Sequence, residues 1–131
     1  MIFCAVQAVA TPAVDYNRTH ASNPLWPGHA RFHVVWQIVS QCFLAAFAGW
    51  LAWKRGSAGF YSAAVILAIP LAGFLLATFM RRWYGGALHD ANGILPLHLA
   101  MLGKRMDVDL SLVLVVACLG FLAGLSILYG R

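Results

Sequence analysis

Four side chains able to donate, accept or ligate recur at intervals of four along one stretch: His29, His33, Gln37 and Gln41. On an α-helix this spacing stacks them up nearly one face, drifting about 40° per step, as a ladder ~18 Å long. Two imidazoles one turn apart can hold a transition metal from a single helix face. His89, His98 or Asp90, all from one later segment, would complete the shell, so the expected metal set is His29, His33, His89 and His98. The same residues suit proton transfer on a lipophilic ligand, with His33 as general acid or base, Asp90 orienting it and Arg31 steadying an anionic centre. Gln37 and Gln41 would then orient His33 or hold the ligand. A bis-histidine haem or a quinone site would use the same facing histidines near a membrane surface. A purely structural use competes with all of these, in which His29 and His33 hydrogen-bond to Gln37, Arg31 or loop carbonyls and pin helices together.

The ladder sits in an apolar chain. Of 131 residues, 62% are hydrophobic and 10% charged, and the mean hydropathy is +0.77, which points to an integral membrane protein of one domain. The net charge of +5 comes from basic residues spread as singles and pairs between apolar spans. That pattern is membrane-flanking charge and excludes a nucleic-acid surface. At membrane depth, four hydrogen-bonding side chains turned to lipid cost several kcal/mol, so the ladder is expected to face protein or trapped water.

Nucleophilic catalysis finds no support. Ser40, Ser62, Ser111 and Ser126 lie in apolar stretches without a GxSxG frame, and no glycine loop could cradle a phosphate. Gly85, Gly86 and Gly103 read as helix breakers. Cys4, Cys42 and Cys118 show no metal or redox spacing and read as small buried hydrophobes.

The expected architecture is all-α: an integral membrane four-helix bundle with helices at about 1–16, 27–53, 58–80 and 110–129. The first is short for a span that needs ~20 residues. Between it and the second lies a polar loop in which Asn17-Arg18-Thr19 fits a glycosylation sequon, Asn23 is a candidate helix cap and Pro24 or Pro27 opens the helix. Lys54-Arg55-Gly56 closes the second helix beside Trp50 and Trp53, an interfacial pairing. Pro70 is expected to kink the third helix, which ends at Arg81-Arg82. Ile94 to Leu102 is apolar, contains Pro96 and is too short to cross, so it reads as an interfacial or re-entrant segment. Gly120 and Gly124 in the last helix have the spacing of a close helix approach, within the chain or between copies.

Four spans would bring the first loop and the last loop to the same side. All five histidines and all four acids then fall on or just inside that side, as a site at one membrane face requires. Six basic residues on that side against Lys54, Arg55 and Arg131 opposite place the histidine face in the cytoplasm by the positive-inside rule.

The stretch Asn23-Pro24-x-Trp26-Pro27-x-His29-Ala30-Arg31-Phe32-His33 resembles the signature of a family of small four-helix membrane proteins, of unassigned activity, grouped loosely with DoxX-like proteins. The resemblance implies a compact membrane bundle. A second run, His98-x4-Gly103-Lys104-Arg105-x-Asp107, is similar in rhythm to a motif of the haem- and quinone-anchoring subunits of succinate dehydrogenase. Two functions follow as expectations: a metal-binding or acid–base membrane protein acting on a membrane lipid or lipophilic small molecule, or a non-catalytic accessory subunit that meets a membrane-protein partner or further copies of itself. The first should leave a cavity among His29, His33, Gln37 and His89; the second should fill that space and present an apolar flank.

Overall fold

The computed structural model describes residues 2–101 and 104–129. It contains four helices: α1 (Ile2–Asp15), α2 (Gly28–Lys54), α3 (Gly56–Met80) and α4 (Leu110–Tyr129). Among the described residues, three segments are long and apolar enough to cross a membrane, Gly28–Lys54, Gly56–Trp83 and Leu110–Tyr129, while α1 is apolar but shorter. The chain divides into two compact units, Met1–Pro70 and Leu71–Arg131.

In the first unit α1 packs against α2, and most of the buried apolar side chains are small: Cys4, Ala45, Ala48 and Ala63, beside the larger Ile38 and Leu67, with Gln7 and Asn23 as buried polar residues. Side chains this short let helix backbones approach closely, which is how helices associate where lipid removes the usual hydrophobic drive. The turn from α2 into α3 is tight. Gly56 adopts a left-handed φ of +57°, and the Arg55 N–H closes the end of α2 on the Leu51 carbonyl at 3.0 Å. Three residues on, a Cβ at Gly59 would collide with the Leu51 carbonyl oxygen and with Cβ of Arg55, so the corner needs glycine there.

Proline sits inside two helices. Pro12 lacks the N–H that would bond the Ala8 carbonyl, and the thiol of Cys42 on α2 donates to that oxygen at 3.5 Å. The helix still continues beyond Pro12, whose carbonyl accepts from Tyr16 at 2.8 Å. Pro70 lies within α3, which runs through it as one α-helix, and the division between the two units falls at that residue.

In the second unit α3 ends in a single 3-10 turn, Arg81–Trp83, followed by Gly85 at φ +69°. Its last carbonyls are satisfied locally: Ala77 accepts from the Tyr84 hydroxyl at 2.9 Å, Thr78 from Arg81 Nη1 at 2.7 Å and Arg81 from the Gly86 N–H at 2.7 Å. The chain is mostly helical but not all-α: β1 (Leu97–Met101) and β2 (Lys104–Val108) pair as the two antiparallel strands of a hairpin whose connecting residues lie outside the described ones, with Leu97 opposite Val108 and Met101 opposite Lys104. Of the segment Ile94 to Leu102, expected at the interface, Leu97–Met101 is β1, and Leu102 lies outside the described residues. A run too short to cross as a helix and stopped at its start by Pro96 satisfies its backbone by pairing with the polar run that follows. Gly103, read as a breaker, lies outside the described residues. α4 then begins at an Asp109 cap, whose carboxylate accepts the Leu112 N–H at 2.8 Å. A Cβ built at Gly120 or Gly124 meets no other atom within 4 Å among the described residues.

Candidate functional site

The site is built on the first two turns of α2. Pro27 occupies the N-cap position in an extended conformation, φ −61° and ψ 149°, with no side-chain capping bond. Its fixed φ starts the helix, so Asn23 is not the cap. Asn23 is instead 1% exposed and organises the loop before the helix: Oδ1 accepts the Leu25 N–H at 2.9 Å, and Nδ2 donates to the Thr19 carbonyl at 3.4 Å. His20 packs edge-on against Trp26, with centroids 5.5 Å apart, and its Nδ1 lies 2.8 Å from the Thr19 hydroxyl. The sequon residue Asn17 is also engaged. Its Nδ2 donates to Val14 O at 2.6 Å at the end of α1, and its Oδ1 accepts from both N–H and hydroxyl of Thr19.

On this start, His29 and His33 come together as the four-residue spacing requires. Their Nε2 atoms are 3.0 Å apart and their rings are nearly perpendicular, at 87° with centroids 4.5 Å apart. At that distance an Nε2–H of one ring can donate to Nε2 of the other, the direction being set by the tautomers. His33 is further bracketed by Phe32 and Trp36, at centroid distances of 5.9 and 5.7 Å.

The rest of the ladder departs from expectation. His29, His33 and Gln37 are exposed, and only Gln41 is half-buried, with Oε1 accepting from the Thr11 hydroxyl at 3.3 Å. The reason is the length of α1: Thr11 meets Gln41, and α1 ends four residues later, so it cannot cover the first turns of α2. Arg31 is half-buried with its Nε shielded from solvent, and it forms no ion pair with Asp15 or any other acid among the described residues. Burial of Asp15 at the end of α1 pushes its carboxyl above the usual carboxylate range, and nearby His20 partly opposes that rise.

The other named residues lie in the second unit. Asp90 closes its own turn, accepting the Asn92 N–H at 2.8 Å, and His89 beside it is exposed. His98 and Asp107 face each other across the hairpin register, with Nδ1 2.7 Å from the carboxylate. A carboxylate on Nδ1 leaves Nε2 of His98 as the free ring nitrogen. The two ends of the His98-to-Asp107 run are therefore one hydrogen-bonded pair, a relationship that sequence spacing did not suggest because it depends on a hairpin. Among the described residues no three His, Cys, Asp or Glu side chains gather where they could hold a metal ion.

A cavity of about 550 Å³ lies at the other end of α2, and His29, His33 and Gln37 do not line it. No protein-family model matches this sequence, and no curated protein or solved structure matches it.

Proposed function

We propose that this chain is a multi-pass membrane protein with four helices, whose His29–His33 pair binds a transition-metal ion at one membrane face. The observation that carries the reading is the 3.0 Å separation of the two Nε2 atoms. Two imidazoles on one tetrahedral ion, each at ~2.0–2.1 Å, place their nitrogens ~3.3 Å apart, so the rings need to open only slightly to admit a metal. Both rings are exposed, which leaves the remaining ligand positions to water or to the polar head of a lipophilic ligand. Without metal, the two adjoining ring nitrogens provide a donor and an acceptor for proton transfer at the same place.

Helix length sets the depth of the pair. The 27 residues of α2 extend ~40 Å, against ~30 Å for a hydrocarbon core. With Trp53 and Lys54 at one interface, ~20 residues reach back to about Val34, so His29 and His33 emerge among the lipid headgroups. That depth also resolves their exposure, which deep in the hydrocarbon would be costly. The resemblance of the stretch from Asn23 to His33 to small four-helix membrane proteins supports the same architecture.

A second reading, an accessory subunit or a homo-oligomer, rests on how little of the chain is buried. Within the most apolar stretch of each span, 22% of α2, 11% of α3 and 6% of α4 is buried. Elemental analysis and an absorption spectrum of detergent-purified protein test the first reading. Stoichiometric metal lost in His33→Ala supports it, and a metal-free preparation that takes up none on incubation overturns it.

A further inference from the structure

We propose that the groove between the start of α1 and the end of α2 is a binding site for one anionic phospholipid, with an acyl chain along the groove and the phosphate at Lys54. The groove is formed because the residues facing it are too small to fill it: Cys4, Ala5 and Ala8 from α1 oppose Ala45, Ala46 and Gly49 from α2. Its volume of about 550 Å³ lies within the ~300–1,000 Å³ of ordinary ligand sites. Walls that are almost wholly apolar select a hydrocarbon chain over a polar metabolite.

The rim has different chemistry. Trp50, Trp53 and Lys54 close the groove at the end of α2, and Trp50 is held by stacking on Phe47, with centroids 5.8 Å apart and planes 16° apart. Indole rings prefer the headgroup level, and a Lys one residue further along presents its ammonium to a phosphate. Arg55 adds a second cation beside it, and Lys54 forms no ion pair among the described residues. An apolar slot with a cationic, aromatic mouth is complementary to an amphiphile whose head is negative. The proposal rests on α2 spanning a membrane and not on the histidine pair, which lies at the opposite end of that helix.

Native mass spectrometry of the purified full chain, released from detergent after incubation with phosphatidylglycerol or phosphatidylcholine, tests it. The wild type should retain one phosphatidylglycerol and discriminate against phosphatidylcholine. Lys54→Gln should weaken retention about fivefold, the loss of one interfacial cation–phosphate attraction. Ala46→Trp, at an exposed position on the groove wall, should abolish it. His33→Ala should retain lipid like the wild type, and membrane fractionation of every variant checks the span separately. Equal retention of both lipids, or undiminished phosphatidylglycerol on the folded Ala46→Trp or Lys54→Gln chain, would overturn the proposal even if the chain remains membrane-embedded.

Discussion

The Cys42 thiol of α2 donates to the Ala8 carbonyl of α1, the oxygen that Pro12 deprives of its helical donor. A break in one helix is thereby answered from its neighbour. Cys42→Val should lower the melting temperature in detergent by an amount equivalent to about 1 kcal/mol, while Cys42→Ser, which keeps a donor, should stay close to wild type. Pro12→Ala restores the backbone N–H. In that background the cost of Cys42→Val should shrink, and a double-mutant cycle measures the difference. Additive effects would show that the thiol does not serve the Ala8 carbonyl.

Two glycines of α3, Gly59 at the α2–α3 corner and Gly73 further along, meet opposite surroundings. Gly59→Ala drives a methyl into the Leu51 carbonyl and should destabilise by about 1–3 kcal/mol. Gly73→Ala, where a Cβ meets nothing within 4 Å, should be neutral or stabilising by up to about 1 kcal/mol. Thermal unfolding of the two variants side by side checks the contrast, and equal effects would contradict it.

Asp15 gives a pH-dependent prediction. Burial raises its carboxyl pKa in the folded chain, so the stability contributed by the protonated form is full below the ordinary carboxylate value and is lost as pH rises through the raised one. Asp15→Asn, which removes the ionisable group at nearly constant shape, should raise the melting temperature at pH 7 and leave it unchanged at low pH. A stabilisation independent of pH would assign the effect to something other than ionisation.

The long apolar helices were legible because hydrophobic length is a strong signal. α2, at Gly28–Lys54, lies within a residue of the expected 27–53, and α4 coincides with 110–129. The strand pair was not legible: Leu97, Leu99 and Met101 alternate with His98 and Ala100, but over five residues that alternation is not distinct from the apolar interfacial or re-entrant run expected there. For the candidate site, four-residue spacing was enough to bring His29 to His33. It was not enough to say which rungs would be covered, because coverage depends on where α1 ends against α2, a through-space relation between Thr11 and Gln41. Asn23 was visible as a turn-forming residue, yet its role depends on Pro27 taking the cap position from it.

The most direct test of the account is a calorimetric titration of detergent-purified protein with Cu²⁺ or Zn²⁺, comparing wild type with His29→Ala, His33→Ala and Gln37→Leu. The account predicts one saturable ion per chain for wild type and for Gln37→Leu, whose side chain is exposed and lies a turn beyond the pair. Each histidine variant should lose at least about tenfold in affinity, since even outer partners of metal ligands cost ~10–100-fold. Melting temperatures should stay within a degree or two of wild type, because exposed rings contribute little to packing. Wild type without saturable binding, or both alanine variants binding as tightly as wild type, would contradict it.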